Sequence, residues 1–175
     1  MSSPITSFKE VSSLSHIDLP SPINLALNGS RWDKRFFQLT QTTASWSEDQ
    51  SRQVGCVIVS QENGILTTGY NGFPRGVANV DRRHSKSSNE KYFWFEHAER
   101  NAIYNAARHG VSLHLSKIYV NHFPCAECTR AVIQSGIKEL NAPSPNQEDP
   151  HYKRSYEVAM EMLAETSVQL RLFTF

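Results

Sequence analysis

Two short stretches must come together for this chain to make a working site: His97-Ala98-Glu99, and Pro124-Cys125-Ala126-Glu127-Cys128. They carry one imidazole, two thiols and, two residues past the histidine, a carboxylate that is not needed as a ligand. Three nitrogen and sulfur donors leave a tetrahedral zinc one position short, which is the donor set of a catalytic rather than a closed structural site. A metal held in this way lets water ionise near neutral pH, and Glu99 stands close enough in sequence to take the proton. Each half alone is a weak signal, because Cys-x-x-Cys also occurs in redox pairs and structural zinc sites, and His-x-Glu arises on any surface helix. The proline before Cys125, the separation of 28 positions from His97 to Cys125, and the helix-like run after each half make the combination specific. A closed site would need a fourth ligand. Cys56 is the remaining cysteine, but within the apolar run Val54 to Val59 it reads as a buried strand residue packing as a small hydrophobe.

The same residues constrain the backbone. Cys125 and Cys128 are three apart and share one helix face. The free N–H groups and positive dipole end of a helix start favour thiolate over thiol. The chain therefore has to set two helix starts side by side, one carrying His97 and one carrying the cysteines, with Glu99 on the rim.

With 175 residues, 39% of them hydrophobic and 20% charged, the chain fits one well-filled globular core. A net charge of +1 gives no broad attraction to nucleic acid, so a stable nucleic-acid partner is not expected. Three cysteines, two of them assigned to metal, argue against a disulfide framework and for a reducing compartment. No signal peptide and no membrane-spanning stretch is legible, so the expectation is a cytoplasmic enzyme.

Residues 1–29 are rich in Ser and Pro and read either as a disordered tail or as an arm laid on a neighbouring subunit, and residues 30–175 read as the catalytic domain. Ser30, with Asp33 three residues on, reads as the cap of a first amphipathic helix in which Trp32, Phe36, Leu39, Thr43 and Trp46 recur at helical spacing. Gln53 to Ser60 is a buried strand, Asn63-Gly64 a hairpin turn, and Ile65 to Tyr70 the returning strand. A loop, Gly69 to Val77, and a polar excursion, Ala78 to Glu90, lead to a helix opened by His97 and ended by Gly110. Lys117 to Asn121 is a third strand. A helix with Pro124 in its first turn runs to Gly136, and Ile137 to Leu140 starts a fourth strand. Asp149 with Pro150 opens the last helix, and Val168 to Phe173 alternates as the terminal strand. The order α-ββ-α-β-α-β-α-β predicts one α/β domain with a sheet of about five strands and helices on both faces.

The stretches QVGCVIV (Gln53 to Val59), GYNGFPRG (Gly69 to Gly76), HAERNAI (His97 to Ile103), FPCAEC (Phe123 to Cys128) and IQSGIKEL (Ile133 to Leu140) together resemble the cytidine and deoxycytidylate deaminase superfamily, and within it the deoxycytidylate (dCMP) deaminase branch. The resemblance covers residue 31 to the end. It implies a three-layer α/β/α cytidine-deaminase-like fold with a mixed sheet, and hydrolysis of dCMP to dUMP and ammonia at C4 of the ring. It also implies that His97, Cys125 and Cys128 hold Zn2+, and that Glu99 relays a proton from water to N3 and then to the leaving amine. The Ala98 N–H would hold the pyrimidine O2, Asn71 would meet the sugar or the attacked ring, and Phe123 would wall the base pocket.

For Asn71 the plain alternative is an everyday turn after a strand. Arg75 is a candidate phosphate contact, since a guanidinium forks onto phosphate oxygens, and reads equally well as an exposed arginine. Arg82, Arg83 and Lys86 read as solvated surface, and Asn101 as a group that fixes a local loop. Two places depart from the family: Trp46 stands where several dCMP deaminases carry an arginine, and the region of Pro150 and His151 lacks their Tyr-His pair. Both lie near where the family reads phosphate, so a nucleoside, a free base or another aminated heterocycle stays open as substrate. The resemblance further implies a homo-oligomer, from dimer to hexamer, and a nucleotide effector near the GYNG loop.

Overall fold

The computed structural model describes residues 29–146 and 148–174. The expected tail or arm, residues 1–29, lies outside the described residues except for Gly29. Helix α1 (Arg31–Ala44) begins with a full capping box: the Ser30 hydroxyl accepts the Asp33 N–H, and the Asp33 carboxylate accepts the Ser30 N–H at 2.7 Å. Strands β1 (Gly55–Val59) and β2 (Ile65–Tyr70) form a hairpin whose turn puts Asn63 at φ 69°. There follow α2 (Lys91–Trp94), α3 (Ala98–His109), β3 (Lys117–Val120), α4 (Ala126–Gln134), β4 (Glu139–Pro143), α5 (Lys153–Ala164) and β5 (Gln169–Phe173).

The five strands form one mixed sheet in the order β2-β1-β3-β4-β5. β1 runs antiparallel to both β2 and β3, whereas β3, β4 and β5 are parallel. The parallel part is joined through α4 and α5, which lie with α3 on one face, while α1 covers the other. Strand alternation divides the core accordingly. Cys56, Ile58, Ile118, Val120, Leu140, Leu170 and Leu172 point to the three-helix face. Val57, Val59, Tyr119 and Phe173 meet Phe36 and Phe37 of α1. The expected three-layer α/β architecture is present, and its helix coverage is three to one. Gly55 is needed for the close approach of α1, since a Cβ there would lie 2.0 Å from the Thr40 carbonyl oxygen.

This topology puts several chain segments at one end of the sheet. The carboxyl ends of β2, β3 and β4 and the amino end of the antiparallel β1 all fall there, which is where α/β sheets place their ligands. Some expected boundaries shift. α1 stops at Ala44, so Trp46 lies beyond it, 53% exposed, with its ring edge-on to Tyr70. Pro124 precedes α4, whose cap is Cys125. α4 ends at Gln134 rather than Gly136, and β4 begins at Glu139. Asp149 is one turn ahead of α5, where its carboxylate accepts the N–H groups of His151 and Tyr152. The polar excursion folds into a 3-10 turn, Asp81–His84, and leads into α2.

Candidate metal centre and its pocket

His97 and Cys125 are the cap residues of α3 and α4, and Cys128 lies in the first turn of α4. The two helix starts are tied together. Arg100 donates to Glu96 Oε1 at 2.5 Å and also to Glu127, and Glu96 Oε1 accepts the His97 N–H at 2.9 Å. From the other side, the Ser155 hydroxyl of α5 accepts the Ala126 N–H, one of the orphan donors of α4. Beneath α3, Gly69 lets the helix settle on β2: a Cβ there would lie 2.3 Å from the Ala98 carbonyl oxygen. These contacts fix where His97 stands relative to the cysteines.

His97 Nδ1 lies 3.5 Å from Cys125 Sγ and 3.4 Å from Cys128 Sγ, and the three donor atoms are all within 4.8 Å of one another. Zinc bonds of about 2.0 Å to nitrogen and 2.3 Å to sulfur, at a tetrahedral angle, put N and S roughly 3.5 Å apart. The donor set therefore fits zinc in both chemistry and spacing. Cys56, fully buried on β1, is not part of this group. The Cys125 thiol is drawn down to about 4, chiefly because Cys128 donates its S–H to it, with His97 adding to the effect against the opposing cost of burial. The same hydrogen bond, and then burial, push Cys128 up. A metal bound by this pair would therefore have one thiol proton left to displace. Burial would lower the His97 pKa, but its contact with Cys125 raises it.

Glu99 is not on the rim. It is 4% exposed, lines the pocket beside the three donors, and burial raises its pKa against the opposing pull of His97. Ala98 also lines the pocket, and as the first residue of α3 it has an N–H that the helix cannot use. Phe123 is there too, edge-on to Tyr156. Tyr156, Tyr152 and Tyr92 line the pocket as well: Tyr156 stacks on Tyr152, and the exposed His151, outside the lining, meets Tyr152 edge-on and stacks on Tyr92 with ring centres 4.2 Å apart. Two elements distant in sequence, α2 and the turn before α5, thereby meet beside the pocket.

Asn71 lines the pocket as well, but its amide is fully engaged. Its Oδ1 accepts the Val54 N–H at 2.7 Å, and its Nδ2 donates to Asp49 Oδ2 and to the Arg52 carbonyl, each at 2.8 Å. It clamps the segment before β1 to the end of β2. Arg75 is not brought to the pocket; its guanidinium lies on the outside of α3, donating to Asn105. Asn101 donates to the Tyr70 carbonyl, fixing that loop.

Pocket residues with no local motif to mark them are Asp49, Arg52, Lys91, Tyr92, Phe95, His122, Tyr152 and Tyr156. Asp49 organises the 47–52 turn by accepting from Ser51 and the Arg52 N–H, and it holds Lys91 Nζ at 2.5 Å. Burial would raise its pKa, but Lys91 and Ser51 outweigh that and hold it below the usual carboxylate range. His122 is kept neutral, its pKa lowered to about 4 by burial and by the nearby Arg52.

Residues 30–142 match the family model described as the cytidine and deoxycytidylate deaminase zinc-binding region. The chain belongs to this family. It is 37% identical over 142 residues to a protein of Aliivibrio fischeri named as an uncharacterized deaminase in the luxG 3′ region, covering 81% of this chain and 92% of that protein. A probable deoxycytidylate deaminase of Caenorhabditis elegans is 41% identical over 109 residues, which cover 61% of this chain and 54% of the relative. The Homo sapiens deoxycytidylate deaminase is 37% identical over 113 residues, 62% of each chain. Among solved structures, dCMP deaminase from the cyanophage S-TIM5 superposes with a TM-score of 0.65 at 19% identity, over 83% of this chain and 99% of that one, which is a likeness of fold.

Proposed function

We propose that this protein hydrolyses dCMP to dUMP and ammonia. The observation that carries the reading is the convergence of His97 Nδ1, Cys125 Sγ and Cys128 Sγ beside the buried Glu99, at the floor of an aromatic-walled pocket. The reading is supported by family membership and by relatives named for deoxycytidylate deamination. His97, Cys125 and Cys128 would hold zinc, which when bound supplies the Lewis acidity that brings water within reach of deprotonation near neutral pH.

The protein's own groups do the rest. The rings of Phe123, Tyr152 and Tyr156 exclude water and hold the base. The Ala98 N–H donates to the pyrimidine O2. Glu99 accepts a proton from the attacking water and delivers it to ring N3, then takes the second proton from the C4 hydroxyl and gives it to the departing amino group as ammonia leaves. Water is consumed, the C4–N bond breaks and a C4=O bond forms. Burial suits Glu99 to this shuttle because it can hold the proton between the two transfers.

The same reading places the enzyme in the cytoplasm, where the unpaired Cys125 and Cys128 stay reduced. No described helix is long and apolar enough to cross a membrane. We include a homo-oligomer and a nucleotide effector in the proposal. The exposed Trp46, Tyr70 and Tyr104 suit a surface covered by a second copy, and light scattering with and without dCTP or dTTP tests both.

The deciding experiment offers the zinc-loaded protein dCMP, dCTP, deoxycytidine and cytosine and follows loss of cytosine absorbance. Turnover of dCMP above the others is expected. Turnover confined to an unphosphorylated substrate would overturn the nucleotide reading and leave the zinc chemistry standing.

A further inference from the structure

His97 and Cys125 are cap residues whose side chains cap nothing: both turn to the point they share with Cys128, and neither α3 nor α4 has a side-chain cap. Two positive helix ends are thus brought to one centre. That favours thiolate but does not hold the helices at a set distance. Arg100 spans them. Its side chain, 17% exposed, donates from Nε to Glu96 Oε1 at 2.5 Å and from Nη1 to Glu127 Oε2. Glu96 is the residue before His97, and Glu127 stands between Cys125 and Cys128. The near end of the link is anchored, because the Glu96 backbone exchanges both hydrogen bonds with Gly72, at 2.8 and 3.0 Å, and its carboxylate also accepts the His97 N–H. The far end is an arm on the first turn of α4, 62% exposed. Apart from the contacts of the metal donors, Arg100 to Glu127 is the one hydrogen bond between α3 and α4 among the described residues.

We propose that Arg100 is a positioning residue for the metal centre: by tying Glu96 to Glu127 it sets the spacing of the imidazole from the two sulfurs, and with it the affinity for zinc. The inference rests on the reading of His97, Cys125 and Cys128 as zinc ligands and adds a residue that is not itself a ligand. A guanidinium suits the task because its N–H groups are held in one rigid plane, so two carboxylates bound to it keep a fixed separation. Shielding from solvent makes such charge-assisted bonds stronger than on an open surface. The leverage comes from the helix. Cys125 and Cys128 share the start of α4, so a shift of that start moves both sulfurs at once relative to His97. Ligand constellations tolerate displacements of only about 0.5 Å.

The test is competition for zinc between the full chain and a chromophoric chelator, read beside the absorption spectrum of the cobalt-substituted protein. Arg100→Gln is expected to weaken zinc roughly tenfold or more, the scale on which the groups that orient metal ligands act. The cobalt ligand-field bands should lose intensity as the donors leave tetrahedral geometry. Glu127→Ala changes an exposed arm and spares the fold; it should weaken zinc in the same direction and to a smaller extent, since Glu96 still holds Arg100. The two substitutions together should cost no more than Arg100→Gln alone, because both cut one link. Arg100→Lys should recover only part of the loss, since an ammonium lacks the rigid fork. Zinc affinity within about twofold of wild type in Arg100→Gln would make the residue merely structural and overturn the inference. Additive losses in the double variant would overturn it too, as would full recovery by Arg100→Lys, which would assign the effect to charge alone. Zinc uptake by the wild-type protein is scored separately: its absence breaks the metal reading itself, whereas full uptake with an indifferent Arg100→Gln breaks only this inference.

Discussion

Each face of the sheet buries charge, and the two do so to different ends. On the α1 side, Asp33 accepts from Arg171 through both terminal nitrogens, at 2.9 and 3.0 Å, and from the Tyr119 hydroxyl at 2.7 Å. Arg171 also reaches Asn141 Oδ1, and Asn141 Nδ2 donates to Glu139 and to the Ile118 carbonyl. Each of these side chains meets a partner within the cluster. On the three-helix side, the buried donors converge without such closure: one nitrogen and two sulfurs face a common point with a carboxylate beside them. A closed buried network fixes which parts of the chain pack together, and an open one is a place for something the protein has still to bind.

Substitutions that probe the open side should have the largest effect. Cys125→Ser removes one of three donors, so zinc content should fall below about a tenth of wild type, with activity and thermal stability falling together, because metal binding is linked to folding. Elemental analysis and a melting curve with and without chelator check it; a variant that retains full zinc would mean the cysteine is not a ligand. Glu99→Gln separates binding from chemistry. Zinc and melting temperature should stay, while kcat drops by about a thousandfold or more with loss of the proton carrier. A variant that keeps full activity would remove Glu99 from the mechanism.

The closed side should answer with stability rather than catalysis. Asp33→Ala leaves Arg171 and the Tyr119 hydroxyl without their shared acceptor and should cost about 3 kcal/mol in urea unfolding, with KM unchanged. Pairing it with Arg171→Met should restore much of that loss. If KM moved as much as stability, the division between the two faces would be wrong.

The smallest effect concerns pH. His122 has a folded pKa lowered from 6.5 to about 4 by burial and by Arg52. Between these values the unfolded chain binds the proton and the folded chain does not. The contribution is therefore complete above about pH 6.5 and is lost as pH falls toward about 4. His122→Leu should flatten the fall in urea midpoint between about pH 7 and about pH 5; an unchanged slope would show that His122 is not what sets it.

The sequence was most informative where chemistry is local. His97, Glu99, Cys125 and Cys128 lie within two short motifs, and helix starts orient such residues through rules that act over a single turn. The Ser30 capping box and the αL Gly110 that ends α3 at φ 67° were legible for the same reason. So was the element order, because buried strands and amphipathic helices carry their periods in the chain. Asp149-Pro150 resembles a helix cap in sequence, whereas in the fold the Asp149 carboxylate serves the two N–H groups ahead of the first turn of α5.

What the chain determined alone was the donor set, its helix-start setting and the strands that bury beneath it, all of which depend on neighbours a few residues apart. The tertiary structure decided who shares the pocket. Arg52 meets Asp149 across 97 residues, Lys91 meets Asp49 across 42, and His151 meets Tyr92, because the ends of β2, β3 and β4 and the start of antiparallel β1 fall at one edge. No local spacing encodes such meetings. They follow from strand order and direction, which are set by the whole sheet finding one arrangement that buries both of its faces.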